Sequence, residues 1–489
     1  MLSKEPNNGK CNDNKENNRK KLDLVSLQLK ILTYFAILPP ANAKRDSWIS
    51  RFYLAFCYLL LFWYIPMFAF DMMAIPQNPG NLPLITEVIF EMSASTTAGI
   101  ASSYFIFNRH RVTEIFEMLE TRFEKFINNK TVSETNFKCI FMKVSKIAKI
   151  VTYTIAINVC LLVAAWICLP YTRRIMDETS GNVHDESKPE FWGYFCYIMW
   201  IPEKPLESPT YECLYLFQIS CVLMVICHYT AMNTIFFFII IYTLAYFQLL
   251  TTCITDIDKR FPIENGSKCD SEINRRLFRN LHGHVPKESH YKTKSDSCRD
   301  DALVLTKDTN DGYLYDLHND KLTAVNEELA NGLEDDAVEH LKQCIEFHQS
   351  LLEYYKSVNS FLSPIYLAFF LSNEISMCVS VFQLLVNENN GIMKIIIGAI
   401  NACSWPLIIS WCGDYLTEKS KELESAIYEM QWYKRSERFK KLLFINLLGA
   451  QKPVRMTAGK FFDVSLQSFA EIVNKVYAYF TILKKMYDT

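Results

Sequence analysis

The chain has 489 residues, 51 Lys and Arg against 53 Asp and Glu, 50% hydrophobic and 14% aromatic residues and only 14 glycines, which excludes disordered, low-complexity and collagen-like proteins. The near balance of charge, with no basic patch, argues against a nucleic-acid partner, whose phosphates call for clustered Lys and Arg. The hydrophobic residues come in unbroken runs of bilayer length, so the sequence is that of a membrane protein.

Residues 1–51 are too polar for a cleaved signal peptide and form an N-terminal segment ahead of the first run, 52–70, which lacks any charge and reads as a retained signal anchor. Further spans follow at 84–107, 150–169, 214–250, 364–386, 392–412 and 461–483, giving seven. The last is the most polar, with Asp463, Gln467, Glu471, Asn474 and Lys475 inside it. Omitting it would leave Phe461, Phe462, Val473, Val476, Tyr479 and Phe480 in water.

Lys and Arg alternate between loops. Residues before span one carry Lys15, Arg19, Lys20, Lys21, Lys30, Lys44, Arg45 and Arg51, whereas 71–83 has none. The loop after span two and the stretch before span seven are again basic. Cytoplasmic loops retain positive charge, so the N-terminus is expected in the cytoplasm and the C-terminus outside. This is opposite to a G-protein-coupled receptor. The sequons at Asn129 and Asn265 then fall in cytosolic loops and read as chance matches.

The fourth run is 37 residues, about 55 Å as a helix, too long for the hydrocarbon core even with tilt. Its excess is expected to enter the cytosol and meet amphipathic partners. One is the 341–362 helix, with Leu341, Cys344, Ile345, His348, Leu351, Leu352, Tyr355, Val358 and Leu362 at three- and four-residue spacing. The other is 413–460, with Leu416, Leu423, Ile427, Met430, Leu442, Phe444, Ile445 and Leu448. Together they predict a cytoplasmic helical anchor layer that either joins subunits or packs within one. Between the fourth run and the 341–362 helix, 251–340 reads as a polar, disordered cytoplasmic loop. His282 and His284, with Cys269 and Cys298, match no zinc spacing.

No phosphate loop, dinucleotide fingerprint, nucleophile elbow or zinc-protease motif is present, so neither an enzyme nor a cofactor or metal is expected. Of 16 cysteines, Cys168, Cys196 and Cys213 flank or occupy the external loop between spans three and four and are candidates for one disulfide, the pair left open. Glu87 and Glu91, four apart on one face of span two near its outer end, read as hydrated carboxylates rather than a cation or ligand site, and His228 and Glu374 as more central span residues. In span seven, Gln467, Glu471, Asn474 and Ala478 share one polar-to-small face, which lines a wet ion path if copies surround an axis, or a polar seam within one subunit. Ile482 and Met486 could close such a path by dewetting.

Four stretches, LKQCIEFHQSLLEYYKSVNSFLSP (341–364), WCGDYLTEKSKELESAIYEMQWY (411–433), AQKPVRMTAGKFFDVSLQSF (450–469) and VYAYFTIL (476–483), closely resemble signatures of insect odorant receptors, in the right order and spacing. The resemblance implies an all-α membrane protein of seven transmembrane helices, joined through the anchor layer into a tetrameric, odorant-gated, cation-selective channel of the plasma membrane of olfactory neurons. An odorant-tuned subunit would work there with a shared odorant co-receptor subunit and a small volatile organic ligand. Matching the aromatic pair Tyr479 and Phe480 puts the hydrophobic gate at Ile482 and Met486. Mapping by depth places an outer-half ligand pocket, within residues 52–250 and the sixth span, at Phe90, Ser95, Asn158, Trp166, Phe217, Ser220, Ile397 and Ile400. The remaining divisions are the fifth and sixth spans at 363–412, and the pore helix with its external tail at 461–489. Rival readings are a gustatory receptor of the same superfamily, a G-protein-coupled chemoreceptor and a secondary transporter.

Overall fold

The computed structural model describes residues 33, 48–119, 134–180, 189–202, 205–263, 312–386 and 392–487. The helices are α1 (Trp48–Gln77), α2 (Leu82–Phe107), α3 (Arg109–Glu117), α4 (Glu134–Val163), α5 (Leu169–Thr179), α6 (Thr210–Thr255), α7 (Ile257–Arg260), α8 (Gly312–Val386), α9 (Ile392–Glu429), α10 (Glu437–Ala450) and α11 (Leu466–Tyr487). A widened turn, Ala164–Cys168, joins α4 to α5 without a break. Two-residue strands β1 (Thr457–Ala458) and β2 (Phe462–Asp463) precede α11.

Five helical stretches are long and apolar enough to cross a membrane: α1, the α4–α5 rod, α6, the C-terminal part of α8, and α9. The other two expected spans, α2 with 26 residues and α11 with 22, are long enough but more polar. In α2 the polarity turns inward: Thr86, Glu91, Ser93, Ser95, Thr97 and Ser102 are buried. Ser93 pairs with Ser376, and Thr97 with Ser372, both on α8. Small hydroxyl residues let spanning helices approach closely, which is why this span is poor in Leu and Ile. Conversely α1 and α4 expose Phe52, Phe62, Ile65, Ile150, Tyr153 and Ile157, as lipid-facing helices do. The central α6 is apolar all round and buried through its FFFIII run, from Phe236 to Ile241.

The chain folds as two compact units, Met1–Gln248 with Ser350–Ser420 and Pro453–Thr489, and Leu249–Gln349 with Lys421–Lys452. In the first, an antiparallel hairpin seats the start of α11. Thr457 faces Asp463 and Ala458 faces Phe462, and the turn places Gly459 and Lys460 at φ +61° and +63°. The hairpin hangs on α8: Gly459 N–H donates to Ser363 O at 2.8 Å, Lys460 N–H to Ser363 Oγ at 3.2 Å and Thr457 N–H to Asn359 Oδ1 at 3.0 Å. On α9, Gly413 lies so close that an added Cβ would stand 2.2 Å from Val464 O. Asp414 Oδ2 then accepts Leu466 N–H at 2.8 Å, capping α11. The TAGKFF motif is therefore a docking turn.

The second unit is organised around Arg435. Its buried guanidinium meets Asp258 at 3.0 Å and Glu334 at 3.2 Å, and donates to Phe261 O at 2.6 Å. Leu341, Cys344, Leu423, Ile427, Met430, Phe439 and Leu443 form its core with neighbouring residues. His348 Nδ1 lies 2.9 Å from Asn446 Oδ1, and burial holds the imidazole below its ordinary pKa.

The expected stripe in 413–460 splits. Leu416, Leu423, Ile427 and Met430 are buried, whereas Phe444, Ile445 and Leu448 are exposed. The loop expected over 251–340 is shorter at both ends: α6 runs on to Thr255, α7 follows, and α8 begins at Gly312. Ala337, Val338 and Leu341 supply the apolar contacts that carry the helical period upstream of residue 341. The sequons and the His282, His284, Cys269 and Cys298 group lie outside the described residues.

Candidate ligand cavity

A cavity of about 90 Å³ lies inside the first unit, among α2, α4 with its widened turn, α6, α8 and α9. Helical spacing selects its lining. Phe90, Glu91 and Ala94 come from α2, and Val222, Val225, Ile226 and Tyr229 from α6. Ser372, Asn373 and Ser376 project from α8, and Gly398, Asn401 and Ala402 from α9. Leu162 and Trp166 close one side, and Tyr197 of the external segment covers another. The Phe90 and Trp166 rings stack at 6.4 Å and 25°. They rest on Gly398, where a Cβ would meet Phe90 Cζ at 2.6 Å.

The external segment is buried from Phe195 to Met199. Two clamps hold it. Gln218 Oε1 accepts Cys196 N–H at 2.8 Å while its Nε2 donates to Tyr197 O at 3.0 Å. Opposite, the Lys394 ammonium bonds Glu91 at 2.6 Å, Glu87 at 3.1 Å and Cys196 O at 3.0 Å, and Glu91 Oε2 accepts Ile198 N–H at 3.0 Å. Lys394 Nζ also stands 5.6 Å from the Trp166 ring centre. Glu87 and Glu91 are thus an ion-pair anchor, not the hydrated carboxylates expected from sequence. Their i,i+4 spacing was readable, but Lys394 lies 303 residues from Glu91.

Of the residues placed by depth, Phe90 and Trp166 line the cavity. Asn158 donates to the lining Asn401 at 2.9 Å, and Ser95, fully buried, donates to Glu91 O at 2.9 Å. Phe217 and Ser220 instead face α1: Phe217 packs on Trp63 and Phe70, and Ser220 accepts from Trp63 Nε1 at 3.1 Å. Ile397 packs at the core's edge and Ile400 is exposed. Depth leaves the rotation of a helix about its axis open, and one residue is 100° of it. Tyr229, Asn373 and Gly398 carry no local signal that would have singled them out.

His228 is buried with Nδ1 3.1 Å from Tyr64 Oη. Cys168, Cys196 and Cys213 are free thiols; burial pushes the Cys196 thiol up to about 11, so it is unreactive at neutral pH, and the other two are exposed. Among the described residues no cluster of His, Cys, Asp and Glu could hold a metal. On α11, Gln467, Glu471, Asn474, Ala478 and Ile482 are all exposed, and among the described side chains of this helix only Ile472 and Val476 are buried. The Met486 side chain is outside the described residues.

A seven-helix bundle with an internal cavity under a buried external segment is the design of a membrane receptor, and comparison specifies which. The family model for the 7tm Odorant receptor matches residues 81–477, and the chain belongs to that family. It is 31% identical over 176 residues to Odorant receptor 13a of Drosophila melanogaster and 28% identical over 150 residues to Odorant receptor Or2 of Anopheles gambiae. These alignments cover 33% and 30% of this chain and 41% and 39% of those proteins. The fold matches the insect olfactory receptor OR5 of Machilis hrabei in complex with eugenol, with a TM-score of 0.66 over 95% of this chain and 99% of that one, at 13% identity.

Proposed function

We propose that this protein is the odorant-tuned subunit of an odorant-gated cation channel, acting with an odorant co-receptor subunit in the plasma membrane of olfactory neuron dendrites. The N-terminus is cytoplasmic, in keeping with the Lys and Arg bias. The observation that carries the reading is α11. A spanning helix that exposes Gln467, Glu471 and Asn474 together with Val473, Tyr477 and Ile482 has neither a lipid-compatible surface nor one for bulk water. Neighbouring copies around an axis resolve this, with the polar face on an ion path and Ile482 and Met486 at its constriction. The exposed Phe444, Ile445 and Leu448 of α10 supply a second apolar face for assembly. The cavity is the odorant site. A relative's complex with eugenol supports a small organic ligand. Binding opens the channel because the ligand prefers the open state's cavity.

The test is membrane current from cells expressing this chain with and without an insect odorant co-receptor, with G-protein signalling blocked, during a panel of volatiles. Current that needs both chains and survives the block is expected. Second-messenger signals without such current would refute the channel. Ile482→Ala is expected to raise the current without ligand at least several-fold.

A further inference from the structure

If the cavity is the odorant site, as read above, its wall already restricts the chemistry it accepts. The three N–H groups of the Lys394 ammonium are taken by Glu87, Glu91 and the Cys196 carbonyl, and Glu91's second oxygen by Ile198 N–H. Asn401 gives its oxygen to Asn158 and Trp405 and donates one Nδ2 hydrogen to Ile397 O, keeping the other. Ser372 and Ser376 are paired with Thr97 and Ser93. A charged ligand would lose its hydration against a wall whose counter-charges are spent.

Two lining amides, Asn401 and Asn373, each keep one hydrogen, and Asn373 has the lining Tyr229 hydroxyl beside it. Asn373 Nδ2 donates to Phe369 O at 2.7 Å and keeps its second hydrogen, while Tyr229 Oη donates to Asn373 Oδ1 over a long 3.4 Å. The largest apolar part of the wall is the Phe90–Trp166 stack seated on Gly398, with Phe90 Cε1 3.1 Å and Trp166 Cη2 3.4 Å from the position of an added Cβ. The volume of about 90 Å³ is smaller than the roughly 150 Å³ of an engineered apolar cavity that binds benzene, whose six heavy atoms scale to about four here.

We propose that the cavity selects neutral, short-chain oxygenated volatiles, whose oxygen accepts from Asn373 Nδ2 and whose hydrocarbon meets the Phe90–Trp166 stack, and that Gly398 sets the chain length. A methyl group at 398 drives the rings into the cavity. A smaller side chain at 90 extends it.

The experiment records current from the full chain with the co-receptor during straight-chain alkanols of increasing length, the matching alkanoates and alkylammonium ions, and bulky aromatic volatiles, with surface labelling of the receptor. Potency is expected to peak at about three carbons and to be at least tenfold weaker for both charged series. Gly398→Ala shifts the optimum shorter by at least one methylene and Phe90→Leu shifts it longer. Asn373→Leu lowers alkanol potency about tenfold. Opposite shifts separate the effect from misfolding, which depresses the whole series in parallel. An optimum unmoved by either size variant overturns the proposal. So does equal potency of alkylammonium ions, which would direct attention to Asp71, a buried α1 carboxyl with both oxygens unpaired that is not among the lining residues. Current from bulky aromatics without any from short alkanols overturns it while leaving the receptor reading intact. Silence to every volatile from surface-labelled receptor refutes both.

Discussion

The Lys394 ammonium joins helices α2 and α9 and the external segment, and the Glu91 carboxylate is its most buried partner. Removing one member of a buried pair leaves the other uncompensated, so Lys394→Met is expected to destabilise the fold by about 3 kcal/mol. Adding Glu91→Gln to that variant should restore a large part. Thermal unfolding of the purified receptor in detergent measures both, and equal loss in single and double variants would contradict the pairing. The sequence made the pair Glu87 and Glu91 visible, and even the lone Lys at the start of span six. It could not join them, because the pairing is set by how two helices rotate against each other. The burial of Cys196 between Gln218 and Lys394 was likewise beyond a reading that saw only an external loop.

At the scale of elements, runs of apolar residues marked the spans, including α2 and α11, whose polar residues lie on defined faces. Two element ends were missed. The upstream start of α8 rests on contacts of Ala337 and Val338, residues that show no stripe by themselves. The hairpin before α11 was legible as a motif but not as a structure, since its partners sit on α8 and α9. Gly413→Ala, forced against Val464 O, should cost about 1–3 kcal/mol, seen as faster amide exchange over residues 457–466 with the cavity amides unchanged. In the second unit, burial lowers the His348 pKa, so the folded state resists protonation. Stability is then full above the unfolded value of about 6.5 and falls as pH drops below it, levelling off once the folded-state pKa is passed. Protection factors of the α10 amides, taken relative to intrinsic exchange at each pH, should fall between pH 7.5 and 5.5, and His348→Gln should flatten that dependence.

For the molecule as a whole, family and fold were legible because the C-terminal motifs and the span pattern are dense in information, whereas the apolar stripe of α10 did not reveal which half faces outward. The exposed Phe444, Ile445 and Leu448 now identify it. Phe444→Glu is expected to leave the subunit folded but reduce recovery of the co-receptor complex several-fold in native mass measurements; unaltered recovery would place the subunit contact elsewhere. One consequence concerns α8. Asn373 meets the cavity, and Ser363, ten residues along the same helix and about 15 Å away, holds the turn that seats α11. On the channel reading proposed above, α8 would couple the two stations, a ligand at Asn373 shifting Ser363 across the helix-interior Pro364. On that reading, stiffness at Ala368, between the stations, would govern how fully an occupied receptor opens rather than how tightly it binds. Ala368→Gly, which softens a helix by about 1 kcal/mol, should lower the maximal current and leave the half-saturating ligand concentration nearly unchanged.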